Sequence, residues 1–250
     1  MKRTAKLLLA SMALGAVVVA PISTFAADGG NYDSKGTITF QPGTDPTNPV
    51  DPTNPTNPVQ PTDPTDPTGP KPGTNGPLSI DFASSFDFGT QKITSQDKTY
   101  NAQAQKYYEI DSDGKTSTTV KEGPNYVQVS DNRGTETGWS LNVTQDAQFT
   151  SSNSHVLEGA VITLNNGNVV SASKSAKPTG TTKVSLTPGA ASTMMSAKLN
   201  EGAGTYLLDW GTDATTGAES VQLKVPGSTT KYAEKYNTTL KWALLDTPGN

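Results

Sequence analysis

Downstream of residue 78, apolar and polar positions alternate in short runs, and Gly, Asn, Asp and Pro punctuate them. A period of two is the signature of half-buried strands, because successive side chains leave opposite faces of an extended backbone. Trp139, Leu141 and Val143 fall on one face in this way. The run at residues 126–129, joined to them through Asp131-Asn132-Arg133-Gly134, predicts a hairpin with a long loop. A second hairpin is predicted where residues 156–164 meet Val169 and Val170 across Asn166-Gly167, a pair suited to the positive φ angles of a tight turn. Further strands are predicted at residues 78–82, 183–186, 194–199, 206–210, 221–225 and 240–244. Helical spacing is sustained nowhere in this part and is weakly suggested only at residues 102–108. Short strands, regular turns and Ser/Thr-rich outer faces make the expected fold all-β, a single β-sandwich over residues 78–250 being favoured over a closed barrel.

The upstream part follows other rules. Lys2, Arg3 and Lys6 precede an apolar run at residues 7–20, and Thr24-Phe25-Ala26 puts small residues at −3 and −1 of a cut after Ala26. Residues 1–26 are therefore expected to be a secretory signal peptide, the apolar run being short of the ~20 residues that span a bilayer. Residues 27–41 contain Lys35-Gly36-Thr37-Ile38-Thr39-Phe40, a short strand that would have to dock elsewhere or stay mobile. Residues 42–77 hold 12 of the 18 prolines and only two large apolar side chains, Val50 and Val59. A proline recurs at every third position from Pro46 to Pro70. That spacing matches polyproline II and predicts a hydrated linker, polyproline II or disordered, about 75 Å long. A plain spacer is the expected role, with a proline-reading partner domain as the alternative.

Composition narrows the function. Residues 78–250 carry 43 large apolar or aromatic side chains, enough for the core of one domain. The net charge of −4 argues against nucleic acid, which needs a cationic surface. With no cysteine and one histidine, His155, neither disulfides, thiol nucleophiles nor a two-histidine metal cluster can form. Asp111-Ser112-Asp113-Gly114 with Glu122 resembles a calcium loop only superficially, because Lys115 and the early glycine break the ligand spacing. Gly202-Ala203-Gly204 precedes no helix and is no phosphate loop. His155 lacks the Ser or Asp pattern of a catalytic base and is expected to be an ordinary surface histidine. Asn142-Val143-Thr144 and Asn237-Thr238-Thr239 are formal glycosylation sequons. No carboxylate pair sits in a recognisable motif either, so the expectation is a non-catalytic exported domain without cofactors. The tail from Leu244 to Asn250 lacks a hydrophobic sorting signal, so any surface retention is expected to be non-covalent.

Two segments stand out: Trp139-Ser140-Leu141 and Trp242-Ala243-Leu244. Each places an indole and a leucine on one strand face, either as core pillars or as an outward platform, and the core role is the expected one. Tyr206, Leu208 and Trp210 are expected in the core too. At these residues the chain resembles the WxL-domain family of surface proteins in low-GC Gram-positive bacteria. The resemblance covers the leader, the proline-rich spacer, Leu78-Ser79-Ile80-Asp81-Phe82 and the proximal Gly138-Trp139-Ser140-Leu141. Its distal part comprises Tyr236, Leu240, Trp242, Leu244, Asp246 and Pro248. The resemblance implies a secreted, extracellular protein held non-covalently at the cell wall by a WxL domain over residues 78–250, with peptidoglycan as ligand. Trp139, Leu141 and the six distal residues would be the motif or wall-binding positions. It also implies surface complexes with larger WxL proteins and a peptidoglycan-binding partner protein, some linked to host-matrix adhesion. No membrane span is expected in the mature chain.

Overall fold

The structure, a computed structural model, describes residues 31–249, so the expected leader lies outside the described residues. The chain divides into two units after Thr39. In the first, residues 31–39 are exposed and carry no regular secondary structure. The strand expected at residues 35–40 does not form, since none of its backbone groups joins a ladder.

In chain order the second unit forms β1 (Val50–Asp51), β2 (Asn54–Pro61), β3 (Leu78–Ala83), β4 (Lys98–Asn101), β5 (Gln105–Ile110), β6 (Thr116–Gly123), β7 (Asn125–Asp131), β8 (Trp139–Gln145), β9 (Thr150–Ser151), β10 (Val161–Leu164), β11 (Gly167–Val170), β12 (Thr179–Gly180), β13 (Val184–Ser185), β14 (Ala191–Ala197), β15 (Gly204–Trp210), α1 (Ala214–Ser220), β16 (Val221–Val225), β17 (Tyr236–Asn237) and β18 (Leu240–Leu245). The all-β expectation holds. Four antiparallel sheets of four strands run β1-β2-β5-β6, β13-β10-β16-β4, β11-β15-β7-β3 and β12-β14-β8-β18, and β17 pairs with β9. The last three four-stranded sheets turn apolar faces into one core: Val127, Val129, Tyr206, Leu208 and Trp210 meet Trp139, Leu141, Val143, Ile162, Met195 and Leu223. Residues 102–108, weakly helical by spacing, enter β5.

Both predicted hairpins are corrected. β7 pairs with β3 and β15, whereas β8 pairs with β14 and β18, so residues 132–138 cross between sheets. Likewise β10 joins β13 and β16 while β11 joins β15. Asn166 does take φ 55°. Gly167 serves close approach instead of a hairpin turn: a Cβ there would lie 2.1 Å from the Thr181 carbonyl oxygen. One helix also goes unforeseen. Asp213 caps α1 by accepting from Thr216 N at 2.8 Å, and the Thr216 hydroxyl accepts from Asp213 N at 3.2 Å.

The proline-rich segment is not a free rod throughout, because residues 50–61 build β1 and β2. Their two valines explain why: Val59 is buried, and Val50 packs against Phe82, Tyr126 and Leu207. These three lie on the face of β3, β7 and β15 that points away from the main core, so β7 is buried along its whole length. Prolines supply no N–H to a ladder, and the remaining amides are used sparingly. Val59 N donates to the Pro49 carbonyl at 2.9 Å and Thr62 N to the Lys106 carbonyl at 2.9 Å.

Candidate functional site

The two Trp-x-Leu segments come together although a hundred residues separate them. β8 and β18 run antiparallel with Leu141 opposite Leu244 and Val143 opposite Trp242. On its other side β8 pairs with β14, which sets Ala197 opposite Trp139 and Met195 opposite Leu141. Alternation then decides the exposure of each residue: along β8 Trp139, Leu141, Val143 and Gln145 are buried while Ser140, Asn142 and Thr144 are partly exposed.

Trp139 is fully buried, and its indole N–H donates to the Gly202 carbonyl at 3.1 Å. Gly202 sits at φ 80°, where a Cβ would lie 2.7 Å from the indole nitrogen and 2.6 Å from the Ala197 Cβ. Only glycine closes the pocket around the ring without strain. Trp242 is half-buried: its ring centroid is 6.1 Å from that of Trp210, which meets Phe86 edge-on at 5.6 Å. Leu240 and Leu244 are also half-buried and pack on the same core. Tyr236 lies in β17 opposite Ser151, and its hydroxyl accepts from Tyr232 N at 3.0 Å. Trp139 and Leu141 are thus core pillars, and the indole of Trp242 keeps one part in solvent.

Asp246 and Pro248 are exposed. Asp246 pairs with Arg133, whose guanidinium is held on its inner side by Asp131: Nε donates to Oδ1 at 2.9 Å and Nη2 to Oδ2 at 2.7 Å. The same Nη2 donates to the Gly138 carbonyl at 2.9 Å. Hydrogen bonding and charge from Asp131 raise the Arg133 pKa further above its already high value. Beyond it, Gly249 N donates to the Ala197 carbonyl at 2.8 Å. Arg133 therefore joins the loop before Trp139 to the segment after Leu244, a role that no local spacing signals.

The outer face of β14-β8-β18 is hydrophilic along β8, with Ala243 and Leu245 of β18 exposed beside it. Ser140, Asn142 and Thr144 stand beside Thr193, Ser196 and Lys241; the Thr193 hydroxyl donates to Asn142 Oδ1 at 2.8 Å, and Lys241 Nζ lies 2.5 Å from Asp146 Oδ1. Such a row of hydroxyls and an amide suits hydrogen bonding to hydroxyl- and amide-bearing ligands. The alternation that marks the strand marks these residues too.

The other candidates are quiet or differently placed. Asp111 Oδ1 accepts from Asp113 N at 3.0 Å and Lys115 N at 2.7 Å, closing the turn between β5 and β6. His155 is at the surface but firmly engaged: it stacks on Tyr232 with centroids 3.7 Å apart, and Nδ1 lies 3.0 Å from Glu234 Oε2. Hydrogen bonds from Ser151, Asn153 and His155 hold the Glu234 carboxyl down at about 2. An open groove of about 780 Å³ lies away from both motifs, walled by the proline-rich segment, Tyr108 and Ser117. Among the described residues no group of three or more His, Cys, Asp or Glu could hold a metal ion, and no helix is long and apolar enough to cross a membrane.

A family model described as WxL domain surface cell wall-binding matches residues 27–248. Neither a curated protein nor a solved structure matches the chain.

Proposed function

Because the chain belongs to the WxL family of surface cell-wall-binding domains, we propose that it is secreted through its N-terminal leader and that its β-sandwich-like domain attaches non-covalently to peptidoglycan. The observation that carries this reading is the division of labour across β8. Trp139 and Leu141 are wholly buried, so the motif builds the sheet and the outer row of Ser140, Asn142, Thr144 and Lys241 is left to meet the wall. Small hydroxyls and an amide at strand spacing suit the hydroxyl and acetamido groups of a glycan and the amides of its stem peptides. Catalysis has no part in this reading.

Sedimentation tests it. The purified chain should pellet with washed cell walls and with purified peptidoglycan, and the triple variant Asn142→Ala, Thr144→Ala, Lys241→Ala should fold normally yet stay in the supernatant. A wild-type chain left in the supernatant by both materials overturns direct wall attachment.

A second reading rests on β18. It is the last strand of its sheet and exposes Leu245 at 46 %. An edge with an apolar outer residue suits strand addition by a partner protein. In that case the chain is an interaction subunit held by a wall-binding companion in a surface complex that contributes to host-matrix adhesion. Deleting the companion should then release the chain to the medium; continued retention counts against it.

A further inference from the structure

We propose that residues 48–62 are an exchangeable strap, able to leave their own domain and seat in the same place on a second copy of the chain. The seat reads an extended proline-rich peptide through side chains from the rest of the domain. Gln128 does this with both ends of its amide: Oε1 accepts from Val50 N at 2.8 Å and Nε2 donates to the Asn48 carbonyl at 3.0 Å. The Tyr107 hydroxyl donates to Asp51 Oδ1 at 3.0 Å, and Gln105 Nε2 donates to the Thr62 carbonyl at 2.8 Å. Buried Val59 and the Val50 contact with Phe82, Tyr126 and Leu207 fix the register. The prolines alone, spaced by three, do not distinguish this register from one shifted by three.

The seat belongs to β3, β5, β7 and β15, and the strap reaches it through residues 63–77, which form no strand. Fifteen extended residues reach about 50 Å, enough to cross to a neighbouring domain. Each contact made within one chain can be remade between two, so the balance is set by local concentration and not by new chemistry. The occupant is a second copy because the seat is already matched to this segment: two valines nine residues apart, an aspartate beside the first, and prolines between. Molecules crowded on a surface would thereby be linked laterally. This inference stands apart from the wall reading, since the seat lies on the far side of β7 from the main core.

The absence of native cysteine gives a clean test. Gln60 and Tyr108 are direct cross-strand partners, so exchange brings Q60C of one full-length chain and Y108C of another face to face, whereas unexchanged chains can link only by random collision. The two chains, refolded together and oxidised, should give a covalent heterodimer whose yield rises with protein concentration and exceeds by about tenfold that of Q60C mixed with the remote surface variant K198C. The doubly substituted chain, refolded at high dilution, should close its disulfide internally and stay monomeric. Equal yields from the two mixtures overturn the proposal. A second measurement needs no substitution: a fluorescent peptide of residues 46–62 should bind the unaltered chain and fail to bind the internally bridged one. No binding to the unaltered chain, or equal binding to both, also overturns it.

Discussion

Leu141 of the first Trp-x-Leu segment lies directly across the sheet from Leu244 of the second. The register then staggers the tryptophans: Trp242 faces Val143, and Trp139 lies beyond the paired end of β18, where Asp246 turns back to Arg133. The two motifs are halves of one packing unit.

Their indoles should differ in energetic weight. Trp139→Ala opens a cavity in a closed pocket and removes a hydrogen bond to Gly202, and should cost about 3–5 kcal/mol. Trp242→Ala, at a half-buried ring, should cost about 1–2 kcal/mol. Urea unfolding of both variants checks the order; equal losses would refute it.

Gly202 offers a sharper test of the pocket. Gly202→Ala must hold a side chain at φ 80° and push a methyl against the Trp139 indole and Ala197. A loss of about 1–3 kcal/mol is expected, with altered tryptophan fluorescence. An unchanged melting temperature would mean that the pocket is looser than drawn.

Arg133 and Asp246 should be unequal partners. Arg133→Ala leaves the carboxylate of Asp131, 1 % exposed, without its cation, and should cost about 3–5 kcal/mol. Asp246→Ala removes a carboxylate that is 70 % exposed and should cost under about 1 kcal/mol. A large loss for Asp246 alone would show the outer pair to dominate.

Two carboxyls give pH signatures of opposite sign. Glu234 is depressed from 4.5 to about 2, so its contribution is full above pH 4.5 and is lost as pH falls towards 2. NMR of the stacked His155 and Tyr232 rings should follow that loss, and Glu234→Gln should abolish the acid step.

Asp209 behaves the other way. Burial, then the charge of Asp51, raises its carboxyl well above the usual value, and Oδ1 has no hydrogen-bond partner. The folded state keeps its proton while the unfolded state loses it, so stability falls as pH rises above the ordinary carboxylate range. Asp209→Asn should raise stability at pH 7 by about 1 kcal/mol and have little effect at pH 3. Destabilisation at pH 7 would rule this out.

Strand positions were legible because burial writes itself as a period of two: Trp139-Ser140-Leu141-Asn142-Val143 reads as a strand and is one, with the expected residues inside. Pairing was not legible. Whether the chain after Asp131 turns back or crosses to another sheet depends on edges supplied by β14, β15 and β18, which come much later. The strap stayed hidden for a related reason, since proline spacing dominates its composition while two valines and Gln128 determine its place. Of the motif, the roles of Trp139 and Leu141 as core pillars followed from base rates of burial. The Arg133 link to Asp246 spans 113 residues and leaves no local trace.

The second edge of β8 is covered only by β18, which follows it in the chain after nine intervening strands. As the chain is made, that edge stays bare, and the link between Asp246 and Arg133 unmade, until β18 has followed. Closure of this sheet is thus timed to the arrival of β18, well after β8 itself has been made.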